Sequence, residues 1–152
     1  MKSPNIFGDF IFYCYLCNVN KYINMTQEYK KLLINDLCAR LECGVIAMEN
    51  EDEPPFKIVS YDGQDFIDDG DWEHRVEKIR PYLFPLTSMT KEQKEIYNSF
   101  FIDSLRGLLT PMNAIKMIDW LNKNHFDYRD LILKGLAIDA TTTNVYLTYN
   151  RI

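Results

Sequence analysis

At 152 residues, 47% of them hydrophobic and 26% charged, the chain is long enough to bury a core as one domain without disulfides or metal, and it is no disordered or low-complexity sequence. Its net charge of −5 is the wrong sign for a protein that grips duplex DNA through a broad basic face. The charge is also uneven: residues 49–73 hold ten acidic side chains and one lysine, a net −9 that leaves the remainder at +4.

The first 24 residues, "MKSPNIFGDFIFYCYLCNVNKYIN", are aromatic, poor in charge and without helical period. Their apolar run "FIFYCYLC" falls well short of the roughly 20 residues a membrane-spanning helix needs, and no secretory signal is evident. A cytoplasmic protein with reduced thiols is expected. Residues 1–24 read as an N-terminal extension, with Met25 as a candidate true start, or else as an added strand.

A helix is predicted from Thr26, a capping residue, to Gly44, a terminator; Tyr29, Leu33, Leu37 and Leu41 recur every four residues along one face. "VIAME" and "FKIVSY" read as strands, and Asp62-Gly63 as the turn of a β-hairpin returning through "QDFI". The acidic "DDGD" leads to a short helical or extended piece around Trp72. Pro81 and Pro85 frame "PYLFP", read as a rigid connection. A capping box at Thr90–Gln93 opens a helix to about Arg106, and Thr110-Pro111 opens the next, on which Ile115, Met117, Ile118, Trp120 and Leu121 form a broad apolar face. Asp127 to Lys134 reads as a last short helix closed by Gly135, "LAIDA" as a final strand, and residues 141–152 as a loosely held tail. The predicted class is α+β: a small antiparallel sheet packed by three or four helices in one domain over residues 25–140.

Three constellations invite chemistry. Cys14 and Cys17 form C-x-x-C, but Cys38 falls inside the first helix, where a small core residue is the expected reading, and Cys43 lies five residues further; zinc is therefore not expected. Asp65, Asp68, Asp69 and Asp71 suggest a calcium loop, yet counting from Asp65 puts Ile67 and Val76 where oxygen ligands are required. No metal and no cofactor are expected. His125, Asp127, Tyr128 and Arg129 could form a general-base site, but no nucleophile motif or phosphate-cradling glycine loop completes it, so a structural corner is favoured. His74 reads as a surface residue.

The stretches "LLINDLCARLECGV" (residues 32–45), "RPYLFPLTSMTKEQ" (80–93) and "IDWLNKNHFDYRDLILKGLAIDA" (118–140) resemble a family of small uncharacterised proteins from Bacteroidales genomes and their phages and mobile elements. The resemblance spans most of residues 25–140 and leaves residues 1–24 outside the common domain. Its motifs carry no assigned chemistry, so no functional residue transfers. It implies a mobile-element origin and an accessory role in the host cytoplasm.

The leading functional expectation is a non-catalytic acidic protein that binds a host protein with a basic surface, such as a nucleic-acid enzyme. An inhibitor of a defence nuclease, of anti-CRISPR or anti-restriction type, fits that electrostatics. Glu49, Glu51, Asp52, Glu53, Asp65, Asp68, Asp69, Asp71 and Glu73 would supply the field and Trp72 an aromatic contact. The alternative is a small enzyme or nucleic-acid module using His125, Asp127, Tyr128 and Arg129, although direct nucleic-acid binding and a membrane role are not expected.

Overall fold

Thr26 opens the first helix as its sequence context predicts. In the computed structural model, which describes residues 25–102 and 109–149, its hydroxyl accepts the N–H of Tyr29 at 3.2 Å, and α1 runs Gln27–Arg40. Leu33 and Leu37 are fully enclosed, with Tyr29 and Leu41 packed against the same cluster. Each enclosed leucine contributes on the order of 2 kcal/mol by leaving water. A short 3-10 turn, Leu41–Cys43, ends at Gly44, whose φ of 70° is the left-handed conformation that favours glycine. Cys38 is exposed rather than in the core, because it lies about 100° round the helix from Leu37.

The strands are β1 (Ile46–Met48), β2 (Phe56–Tyr61), β3 (Asp65–Asp68), β4 (Glu73–Arg75), β5 (Arg80–Pro85), β6 (Phe126–Asp127) and β7 (Ile138–Asp139). The α+β class holds, but the sheet is not a small antiparallel unit. Among the described residues it is mixed and seven-stranded, in the order β4-β3-β2-β1-β5-β6, with β7 also on β5. Strands β1 to β5 pair antiparallel, whereas β6 and β7 each run parallel to β5.

The difference originates at "RPYLFP". Its prolines forbid a helix, but Pro81 and Pro85 sit near the two ends of a strand, where proline is tolerated. The expected connector is thus β5, which joins the antiparallel and parallel parts of the sheet. Parallel pairing demands a crossover, supplied by α2 (Lys91–Ile102) and α3 (Pro111–Lys123) between β5 and β6. The capping box is present: Thr90 Oγ1 accepts the Gln93 N–H at 3.2 Å, and Gln93 Oε1 accepts the Thr90 N–H at 2.9 Å. The rest of the helix expected to reach Arg106 lies outside the described residues.

Alternation along the strands sorts the core. Val45, Ala47, Phe56, Ile58, Phe66 and Leu83 face α1, whereas Ile46, Met48 and Tyr82 face the other way with Ala140 and Val145. On α3 the inward stripe is narrower than expected. Leu121 is buried, and Met117 and Trp120 pack beside it on Phe126, but Ile115 and Ile118 remain 57% and 39% exposed.

Two further expectations are corrected. The stretch after Asp127 is a run of turns closed by Gly135 (φ 72°) rather than a helix. Of the expected loose tail, residues 141–149 complete a 3-10 turn, Ala140–Thr142, and form a short helix, α4 (Val145–Tyr149), that packs Val145, Tyr146 and Tyr149 onto the second face, and residues 150–152 lie outside the described residues.

Candidate functional site: the acidic end of the sheet

Strands β1 and β3 point the same way, because both are antiparallel to β2. The loops that follow them, residues 49–55 and 69–72, therefore leave from one end of the sheet. Those two loops hold most of the predicted acidic residues.

His74 ties the loops together. It lies opposite Phe66 on β4, and its ring stacks on Phe56 with centroids 3.7 Å apart and planes 8° from parallel. Nδ1 is 3.0 Å from Glu49 Oε2, and Nε2 is 3.0 Å from Asp68 Oδ2. Asp68 is buried, and its other oxygen accepts the N–H groups of Gly70 at 2.8 Å and Trp72 at 3.0 Å. Burial alone would raise the Asp68 carboxyl, but the bonds from His74, Trp72 and Gly70 outweigh it and hold the group below its ordinary range. Glu49 follows the same pattern: burial raises it, and His74 together with Lys78, whose Nζ lies 3.1 Å from Oε1, lowers it further.

The clamp leaves Glu51, Asp52, Glu53, Asp69, Asp71 and Glu73 exposed. Asp71 takes φ 64°, a conformation aspartate tolerates better than most residues, and the chain emerges with Trp72 73% exposed beside Gly70. A large exposed indole in a hydrogen-bonded turn is uncommon on a protein surface. Asp69 is tethered at its carboxylate by the Tyr149 hydroxyl, 3.0 Å from each oxygen. Beside this end a cleft of about 250 Å³ is lined by residues 49–52 and 77–80 with Met25, Tyr29 and Lys134.

The predicted set is not one surface. Asp65 begins β3 at the opposite end, in register with Arg75, about 10 Å along the strand from Asp68. Asp68 and Glu49 are internal braces rather than outward charge. His74, read as a surface residue, is the group that organises the site. The available signal was the hairpin register: a strand returning from "DDGD" places His74 beside the Phe66–Asp68 face.

The His125 corner is built as a joint. Asp127 spends its carboxylate on the N–H groups of Arg129 (3.3 Å), Leu131 (2.9 Å) and Ile132 (2.8 Å). Tyr128 donates its hydroxyl to Asn122 Oδ1 at 2.9 Å, and the guanidiniums of Arg40 and Arg129 lie 5.2 and 5.1 Å from its ring centre. Arg129 Nε stands 3.3 Å from Asp36 Oδ1, itself part of a fully buried pair with Arg40. His125 has φ 56° and stacks on Tyr146 with centroids 4.0 Å apart. Burial, helped by the Arg40 charge, pushes its imidazole down to about 4, so it is neutral at pH 7. Its Nδ1 is buried without a hydrogen-bond partner. Among the described residues no carboxylate is hydrogen-bonded to this ring, as orienting a general base would require.

Cys14 and Cys17 lie outside the described residues, among which no group of three or more His, Cys, Asp or Glu is placed to hold a metal ion. Among the same residues no helix is long and apolar enough to cross a membrane. Comparison with protein-family models, with curated proteins and with solved structures finds no match.

Proposed function

We propose that the chain is a non-catalytic binding protein that presents the acidic end of its sheet to the basic surface of a partner protein. The observation that carries this reading is that His74 bridges Glu49 and Asp68 at one end of the sheet, an end that also bears six exposed carboxylates and the exposed Trp72. Carboxylates held on a folded scaffold present negative charge much as phosphates do, and a groove made for nucleic acid attracts both. Trp72 supplies the desolvating aromatic contact that charge alone lacks. The reading therefore favours a nuclease or another nucleic-acid enzyme as the partner. With the resemblance to mobile-element proteins, it extends to inhibition of a host defence nuclease in the host cytoplasm.

The test is a cleavage assay. Purified chain is added to CRISPR effector and restriction nucleases of a Bacteroidales host, each with its own DNA target. Inhibition of one enzyme that rises with chain concentration and weakens with added salt supports the proposal. Undiminished cleavage by every enzyme at low salt overturns the inhibitor role.

A further inference from the structure

Hydrogen-bond accounting at His74 has a consequence for the acidic end. Both ring nitrogens face carboxylate oxygens at 3.0 Å, Glu49 from the end of β1 and Asp68 from the end of β3. An ionised carboxylate only accepts, and a neutral imidazole has one N–H and one lone pair. Two ionised carboxylates are therefore both satisfied only by an imidazole bearing both protons. The remaining groups packed around the ring do not change this count: Phe56 from β2 offers a ring face, and Lys78 binds the far oxygen of Glu49. Glu73 and Arg75, the neighbours on β4, are exposed.

We propose that His74 is a proton-dependent clamp that fastens the loop of residues 49–53 to the loop of residues 68–73, and that loss of one imidazole proton releases the first loop while the second stays in place.

The asymmetry follows from the other bonds of the two carboxylates. Asp68 is buried and fixed through Oδ1 to the backbone of Gly70 and Trp72, so moving it would orphan two N–H groups. Glu49 is the longer side chain, and Lys78, 3.1 Å from its other oxygen, offers it a second partner when it leaves the imidazole. The neutral ring accordingly keeps Nε2–H toward Asp68 and turns its Nδ1 lone pair to Glu49, a repulsive contact that opens. Glu51, Asp52 and Glu53 then lose their fixed position relative to Asp69, Asp71 and Trp72. If the acidic end is a binding surface, as proposed above, its affinity for a basic partner falls when the ring gives up one proton.

The experiment uses the chain alone, so its outcome is separable from that of the binding proposal. ¹⁵N NMR of the His74 ring is recorded from mildly acidic to mildly alkaline pH, with the backbone amides followed in parallel. The expected result is two N–H groups at the acidic end and the Nε2–H tautomer at the alkaline end. The amides of residues 50–53 should shift in step with the ring, and their hydrogen exchange, corrected for base catalysis, should accelerate several-fold. Those of Gly70 and Trp72 should not. Glu49→Gln supplies a control, because its amide pairs with either form of the ring, and its loop should stay fixed across the titration. Loop amides that ignore the His74 titration, or that follow it equally in Glu49→Gln, overturn the proposal. An Nδ1–H tautomer with Gly70 and Trp72 moving would overturn the assigned direction of release.

Discussion

The hydroxyl of Tyr149 donates to the carboxylate of Asp69, 80 residues earlier in the chain, and accepts the backbone N–H of Lys57 at 3.1 Å. One side chain of α4 thus braces both an acidic loop and the start of β2. The neighbouring Tyr146 hydroxyl donates to the carbonyl of Tyr82 at 2.6 Å. Truncation before Val145 should therefore cost on the order of 3 kcal/mol or more in urea unfolding, and Tyr149→Phe about 1 kcal/mol. A truncated chain as stable as the full one would mean that α4 is not a structural element.

Arg40 and Asp36 form a wholly enclosed pair, with bonds of 2.7 and 3.0 Å and a further bond of 2.8 Å from Arg40 to the carbonyl of Phe126. Arg40→Met should cost about 3–5 kcal/mol, because it removes both bonds that Arg40 makes to the buried Asp36 carboxylate and leaves it the Arg129 contact. Adding Asp36→Leu should restore part of that loss. Denaturant midpoints of the single and double variants measure the coupling.

His125 gives a pH dependence whose sign is fixed. Its ordinary value of 6.5 falls to about 4 in the folded protein, so the unfolded chain binds the extra proton first. The stability contributed by the neutral ring is full above pH 6.5 and is lost as pH falls toward 4. The whole window amounts to roughly 3 kcal/mol. His125→Phe keeps a ring against Tyr146 and removes the titration. Stability measured across this window should fall less steeply for the variant than for the wild-type chain. His125→Ala, by contrast, loses the stacked ring and should destabilise at every pH.

Asp68 and Asp71 stand three residues apart in one acidic turn but should respond differently to neutralisation. Asp68→Asn puts an amide where a charged acceptor serves two N–H groups and His74, at a cost of about 1.5–3 kcal/mol. Asp71→Asn should stay within about 0.5 kcal/mol, since asparagine tolerates the left-handed backbone equally well. Thermal melts of the two variants make the comparison.

Local chemistry was legible wherever it acts over a few residues. The caps at Thr26, Thr90 and Thr110, the stop at Gly44, the strand "FKIVSY" and, to within one residue, the returning strand "QDFI", observed as Asp65–Asp68, follow from residue type and spacing. What was not legible depends on contacts distant in sequence. Nothing local to "RPYLFP" says that two later strands will lie parallel to it, and nothing local to residues 141–149 says that Tyr146 will meet Tyr82. Charge counting found the acidic region but treated Asp65, Asp68, Asp69 and Asp71 as equivalent. Only the hairpin register separates Asp65 at one end from the brace Asp68 and the outward pair at the other. His74 was missed for the same reason, since Glu49 lies 25 residues earlier and meets it only through the pairing of the sheet.

The central claim, that the outward carboxylates form a binding surface, is tested most directly by surface plasmon resonance against whichever nuclease the cleavage assay shows to be inhibited. The chain is compared with a variant carrying Asp52→Asn, Glu53→Gln, Asp71→Asn and Glu73→Gln, all exposed positions outside the His74 clamp. The account predicts that both chains fold alike, that wild-type association slows steeply as salt rises, and that the variant loses on-rate more than it gains off-rate, since steering acts over a Debye length of about 8 Å at physiological ionic strength. Binding of the variant at the wild-type rate in low salt would contradict it.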